Sequence, residues 1–399
     1  MLAALHGRAS AGAPVYVCAP RGRTEFTTVM AEPLKNRFGP AIAQQLGAMI
    51  SAVHRSFDRR AFLRDALAGY EALELMPRGR HIARALHRHL PPSYPRAIGI
   101  LLDSLSAPRE MPADEAMAPF FFLPHVSFVA EFGLEHFEES MRAQHALTQR
   151  FTAEFSIRAF IERYPERTLA RLREWTTDPN EHVRRLVSEG TRPRLPWASR
   201  LREFQTNPRP VLDLLELLKD DPALYVRRSV ANNLNDIGKD HPPLLVATAR
   251  RWMKNASEER RWIIRHALRS AVKCGNVGAL AVMGYGAKVA VSIAAVTITP
   301  ARARMGGKVA IAFDILNQGA DRARVLIDFR IHYVKAGGRT SPKVFKLKEI
   351  DLAPRERISL AKTVSLAEMT TRRHQPGLHL VEALLNGEAR PLGAFELRE

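Results

Sequence analysis

Apolar residues recur along this chain with two different periods, and the change from one to the other divides it. Ile42, Leu46, Ile50 and Val53 stand at helical spacing, as do Phe62, Leu63, Leu67 and Tyr70. The same period runs through Met76–Leu90, Tyr94–Leu105 and Leu134–Phe151, and predicts further helices near 165–175, 180–189, 208–219, 223–235, 242–254 and 257–272. After Gly284-Tyr285-Gly286 apolar and polar residues alternate instead. Val289–Thr299, Lys308–Leu316, Ala323–Val334, Lys343–Asp351, Arg357–Val364, Leu378–Leu385 and Leu392–Leu397 read as strands, with turns at Asn317-Gln318-Gly319, Ala336-Gly337-Gly338 and Asn386-Gly387. Seven short strands in a row predict an immunoglobulin-like β-sandwich, on strand number alone, since no cysteine pair or buried tryptophan of the antibody kind accompanies them.

Inside the helical half the sequence repeats. Asp178-Pro179-Asn-Glu-His-Val183-Arg184-Arg185 returns 43 residues on as Asp221-Pro222-Ala-Leu-Tyr-Val226-Arg227-Arg228. A period of roughly 40–47 residues built on helix pairs is the HEAT/armadillo pattern. Asp-Pro is expected to start the second helix of each pair, with Asp as cap and Pro in the first turn. The valine should face the core, and the arginine beside it should reach an acceptor on the next repeat. Ile264-Arg265 echoes the motif a third time at shorter spacing. Such units bury their apolar faces only by stacking. The expected architecture is therefore α then β: an extension over 1–30, a HEAT-like solenoid over 31–284 and an immunoglobulin-like sandwich over 287–399. Residues 1–29 show no period, so Met30 is a candidate natural start.

Charge adds a partner. The chain carries +19, of which +8 falls in residues 281–399 (19 basic and 11 acidic side chains), so both halves are basic. A polyanion, nucleic acid before membrane, is the natural partner. Only Cys18 and Cys274 are present, which fits a reducing cytosol and no disulfide framework. No run of ~20 apolar residues could span a bilayer.

Three acidic residues stand out. Glu154 lies among aromatics in Phe-Thr-Ala-Glu-Phe; Glu189 ends the first Arg-Arg helix; Asp236 ends the second, at a similar place in the next repeat. A carboxylate row inside a basic solenoid could stabilise positive charge on a nucleotide, or could simply pair with inter-repeat arginines. Trp197, in the stiff basic loop Thr-Arg-Pro-Arg-Leu-Pro-Trp-Ala, could pack on a sugar or base, or plug a repeat junction. Trp175, Trp252 and Trp262 read as core. Arg158, Arg185, Arg192, Arg194, Arg228 and Lys239, in or beside these segments, are candidate phosphate contacts, as are Arg372, Arg373 and His374 between two strands. Walker, His-Glu-x-x-His and Cys-x-x-Cys templates are absent, and His81, His87 and His89 read as surface or phosphate-facing.

The segments 151–158, 182–198 and 225–242, with 33–39 and 124–129, resemble the AlkC branch of the AlkC/AlkD bacterial DNA alkylation repair glycosylases. The resemblance covers about residues 31–285, and some members carry a C-terminal immunoglobulin-like domain. It implies a bacterial, nucleoid-associated cytoplasmic enzyme, monomeric, that hydrolyses the N-glycosidic bond of cationic alkylated bases in double-stranded DNA, 3-methyladenine and 3-methylcytosine among them. It implies no base flipping, and the reaction needs no metal or organic cofactor; no lysine is placed like a Schiff-base nucleophile, so a monofunctional glycosylase without strand cleavage is expected. Glu154, Glu189 and Asp236 match the family's active-site carboxylates, and Trp197 its DNA-facing aromatic. A non-catalytic HEAT-repeat adaptor for DNA or protein, or an RNA-binding module, would explain charge and repeats equally well.

Overall fold

The computed structural model describes residues 34–106, 118–286, 289–368 and 374–399. Helices occupy the chain from Leu34 to Val282 and strands from Val291 to Arg398. The suspected start at Met30 lies outside the described residues. Helix Leu75–His89 shows why periodicity works as a signal: Ile82, Ala83, Ala85 and Leu86 are buried while Arg80, Arg84 and Arg88 face outward. Helix Leu123–Phe132, by contrast, is apolar on most sides and buries Val126, Phe128 and Val129 together with His125, so it left no period to read. The long helix expected over Leu134–Phe151 is shortened to Phe137–Thr148, preceded by the turn at Gly133–His136.

The repeats stack as helix pairs: Pro165–Glu174 with Glu181–Gly190, Arg209–Leu218 with Leu224–Asp240, and Pro242–Met253 with Glu258–Lys273. The second helices lie side by side. Val183, Val226 and Ile264 are all fully buried. The capping expectation is corrected: Asp178 and Asp221 sit in the turn before each helix. Their Oδ1 atoms accept from Asn180 N at 2.8 Å and Ala223 N at 2.9 Å. Such an Asx turn satisfies the backbone two residues on. Asn180 is the actual cap of the first helix, and both prolines stand outside. Arg184 does reach the next repeat, with Nε 2.6 Å from Asp221 Oδ2.

Eight strands follow among the described residues: β1 (Val291–Thr299), β2 (Arg302–Arg304), β3 (Lys308–Asn317), β4 (Ala323–Val334), β5 (Thr340–Leu352), β6 (Arg357–Ser365), β7 (Gly377–Leu385) and β8 (Glu388–Arg398). They form a sandwich of two sheets, β1-β3-β6 and β2-β8-β7-β4-β5. The unexpected β2 is three residues long and pairs parallel to β8, too short for alternation to reveal. Val309, Ile311, Phe313 and Ile315 of one sheet meet Val325, Ile327, Phe329 and Ile331 of the other in a single core.

The two halves dock closely. The β7–β8 hairpin turns on Asn386 and Gly387, both at positive φ (47° and 81°). A Cβ at Gly387 would stand 2.6 Å from the Gly275 Cα. Asn386 Nδ2 donates to Gly286 O at 3.1 Å, and Tyr285 is buried with Leu280 and Leu326. Among the described residues no helix is long and apolar enough to cross a membrane, and no group of acidic, His or Cys side chains is spaced to hold a metal.

Candidate active site and its carboxylate chain

The three singled-out carboxylates belong to one connected line of alternating charge. Glu154 lies in the segment leading into helix Ile157–Arg163. That helix crosses the end of Glu181–Gly190 at Gly190, where a Cβ would meet Ile157 Cγ2 at 2.5 Å. The close approach brings Glu154 to the turn that carries Arg185 and Glu189. Arg185 Nη1 donates to Glu154 Oε2 at 2.6 Å and to Thr152 Oγ1 at 3.0 Å, while its Nη2 lies 3.6 Å from Glu189 Oε1. Arg192 Nη1 donates to the same Glu189 oxygen at 2.7 Å, and Arg192 Nε to Asp236 Oδ2 at 2.8 Å. Lys239 Nζ closes the line on Asp236 Oδ1 at 2.8 Å. Of the two alternatives the sequence offers, the pairing with arginines is present along the whole row.

The carboxylates are not equivalent. Ser229 Oγ donates to Glu189 Oε2 at 2.6 Å, so both Glu189 oxygens are engaged. Asp236 is likewise engaged at both oxygens and is 1% exposed. Glu154 takes Thr152 and Arg185 on Oε2, and no described residue donates to its Oε1. The row is also less regular than expected: Glu189 plus the 43-residue period falls on Asn232, so Asp236 stands one helical turn farther along. Burial alone would lower the pKa of Arg185, and the Glu154 and Glu189 carboxylates more than offset it, leaving it raised. Burial also opposes charge on Arg192, and Glu189 and Asp236 reverse that in the same way.

A cleft of about 210 Å³ opens over this line, with Glu154 and Glu189 in its wall and Phe120, Phe151, Phe155 and Trp197 around it. Trp197 is 60% exposed, its ring centroid 6.2 Å from Phe120. Its backbone is left-handed, φ 63°. A large side chain there costs about 1–2 kcal/mol, so the surrounding loop must impose it. Arg158 does part of this. It donates from Nη1 to Gly190 O (3.1 Å) and Arg192 O (2.8 Å) and from Nη2 to Ser199 O. Arg194 clamps the loop to Asp240, its Nε 3.0 Å from Oδ2.

Both halves of the chain match known proteins. The DNA alkylation repair enzyme family model matches residues 145–270, which hold Glu154, Glu189, Trp197 and Asp236. The C-terminal Ig-like domain of the uncharacterised protein YhaZ matches residues 292–399. The chain is 36% identical over 365 residues to the uncharacterised protein YhaZ of Bacillus subtilis, spanning 91% of this chain and 99% of that one. It is 39% identical to Pseudomonas fluorescens alkylpurine DNA glycosylase AlkC, solved bound to DNA containing an abasic site analog, with a TM-score of 0.85 over 92% of this chain and 100% of that one. The chain belongs to the AlkC-type DNA alkylation repair family.

In this AlkC-type chain the cations expected on phosphates divide. Arg158 is buried with burial lowering its pKa to about 10, and it serves backbone carbonyls. Arg192 is buried and Arg185 half-buried between carboxylates, Arg194 is half-buried on Asp240, and the exposed Lys239 lies on Asp236. These arginines are internal ties and not an open phosphate surface, because the buried carboxylates demand compensation. Arg228 is exposed, with no ion pair to any described residue. His374 is 4% exposed and packs against Tyr333, which takes it out of reach of a phosphate; Arg372 and Arg373 lie outside the described residues. His87 is exposed as expected, its ring stacked on Phe132 at 3.9 Å, and the half-buried His89 meets Asp65 at 2.9 Å. Sequence reading missed Tyr225, whose exposed ring covers the Arg185 guanidinium at 5.1 Å. The signal existed: Tyr225 repeats His182 at the same 43-residue offset, and the two rings meet at 5.4 Å.

Proposed function

We propose that the chain is a monofunctional DNA glycosylase acting on cationic alkylated bases, 3-methyladenine and 3-methylcytosine among them, in duplex DNA. The single observation that carries this reading is Glu154: a carboxylate in the wall of an aromatic cleft, locked through Oε2, with no described residue donating to Oε1. N-alkylation makes the base cationic and already a good leaving group. As the C1′–N bond breaks, the base departs neutral and positive charge builds on the deoxyribose. Fixed carboxylates beside C1′ stabilise that charge. A water then bonds to C1′ and gives its proton to Glu154 Oε1. Glu189 adds field from a fixed position. Asp236, buried and fully engaged, acts through Arg192 by holding Glu189. Trp197 lies on the sugar and excludes bulk water.

The cleft is shallow and open, which supports attack on a base that stays in the stack; selectivity then comes from the lesion's own charge, unlike the usual flipping route. Among the described residues no lysine lines it, which supports hydrolysis without strand cleavage. The enzyme works as a monomer on bacterial chromosomal DNA in the cytoplasm, and hydrolysis asks for no cofactor. The domain limits that go with this reading are 31–284 for the glycosylase solenoid and 287–399 for the sandwich. Incubating the chain with end-labelled duplex holding one 3-methyladenine tests it. Free base with an alkali-labile but uncut strand is expected; bound DNA with no base released would leave the adaptor reading.

A further inference from the structure

A second cavity, of about 300 Å³, lies at the seam between helix Glu258–Lys273 and the outer face of β4 and β5. Its walls are apolar: Val272 and Met283 from the helical side, Leu326 and Val344 from the sheet, with the Tyr285 ring between them. Four cations, Arg265, Arg269, Lys273 and Lys346, face two carboxylates, Asp328 and Glu349, around it. Glu349 is already taken by Arg324, with Nη2 to Oε1 at 2.6 Å. Arg265, Lys273 and Lys346 form no ion pair within 4.0 Å with any described residue, and all three are exposed. Unmatched cations ringing an apolar cavity call for an anion attached to an apolar body.

Asp328 narrows the choice. The β4–β5 register shifts between Ile327 and Asp328, which sets Lys346 opposite Asp328. The residue is 8% exposed, and among the described residues its carboxylate accepts one long hydrogen bond, from Leu347 N at 3.4 Å. Burial raises its pKa against the pull of Leu347 N–H, Lys346 and Lys273. A carboxylate only accepts, so a ligand that satisfies it must bring donors, and two N–H groups side by side engage both of its oxygens at once. Flat body, N–H donors and phosphate together describe a nucleotide with an amino-bearing base. Guanine, with N1–H and N2–H side by side, meets both carboxylate oxygens.

We propose that the seam cavity binds a guanine nucleotide, its base between the apolar walls with its N–H edge on Asp328 and its phosphate on Lys273, Lys346 and Arg265. This goes beyond the glycosylase reading and stands without it. The nucleotide comes from a free pool or from an unstacked position in bound DNA. Arg269 ties the cavity to the carboxylate line, since its Nη2 donates to Asn232 Oδ1 at 2.9 Å, one turn from Asp236 on the same helix. The full chain titrated calorimetrically with dGMP and dTMP, and with duplexes fully paired or carrying one bulged guanine, tests the proposal. Binding of dGMP on the order of tenfold tighter than dTMP is expected. Asp328→Asn should level the two, and Lys273→Gln/Lys346→Gln should weaken both, with circular dichroism unchanged. A bulge preference lost in the same variants assigns the site to DNA; dGMP binding without it assigns a free nucleotide. Equal dGMP and dTMP binding, dGMP binding unaffected by either variant, or neither dGMP binding nor bulge preference overturns the proposal.

Discussion

The two repeats carry the same pair of arginines, and the structure uses them differently. The first arginine of each pair does one job twice. Arg184 Nη1 donates to Asp178 O (2.8 Å) and Pro179 O (3.0 Å), and Arg227 Nη1 to Asp221 O (2.9 Å) and Pro222 O (2.7 Å). Each pins the turn that starts its own helix. The second arginines part company: Arg185 is half-buried between Glu154 and Glu189, while Arg228 is exposed. Where the repeat is conserved it builds the solenoid; where its environment diverges it builds a site. Identity of sequence therefore fixes the backbone role of an arginine better than the role of its neighbour, because a guanidinium on a long stem takes whatever partner the adjoining repeat supplies.

The largest effect separating the pair is on stability. Arg185→Ala leaves Glu154 and Glu189 in a buried site short of their shared cation, and should destabilise the fold by about 3–5 kcal/mol. Arg228→Ala should move the melting midpoint hardly at all. Thermal melts of both variants check this, and equal losses would erase the distinction. Next in size is chemistry: Glu154→Gln should slow base release about 10²–10³-fold while DNA affinity holds, since a charge-stabilising group is lost from a fixed site.

How much of this could be read beforehand depends on the range of the interaction. The helix-to-strand change and the Val183/Val226 repeat are legible because each leaves a local pattern, whereas grouping Glu154 and Trp197 with Glu189 rests on the resemblance to the AlkC branch alone. The Asp-Pro turn was misread as a cap because Asp serves both, and only the backbone path of Asn180 and Ala223 decides between them. Helix Leu123–Phe132 hid in its uniform apolarity, and β2 in its brevity. Arg158, Arg185 and Arg192 read as phosphate contacts because sequence shows charge and not its folded partners, which are backbone carbonyls for Arg158 and carboxylates for Arg185 and Arg192. His374 was misplaced for a related reason: beside two arginines it resembled a loop donor, yet it packs under the sheet on Tyr333.

Two smaller effects sharpen the comparison of built and open positions. Trp197 is held in left-handed backbone, so Trp197→Gly should be more stable than Trp197→Ala by about 1 kcal/mol, although both lose the ring. Chemical denaturation of the two variants reads that difference; the reverse order would mean the loop relaxes. Smallest is the salt effect. Arg228→Ala should reduce the slope of log affinity against log salt by about one unit, as expected for one lost phosphate contact. Arg194→Ala, at a residue spent on Asp240, should leave the slope unchanged and loosen the Trp197 loop instead. Titrations of duplex DNA at several salt concentrations distinguish them.

The account turns on Glu154 as the carboxylate that meets the reacting sugar. Single-turnover release of 3-methylcytosine from a duplex holding one such base, with enzyme in excess, measures it directly. The unaltered chain should free the base and leave an uncut abasic strand, and Glu154→Gln should do so about 10²–10³-fold more slowly at equal DNA affinity. No release by the unaltered chain, or equal rates for the two, would contradict it.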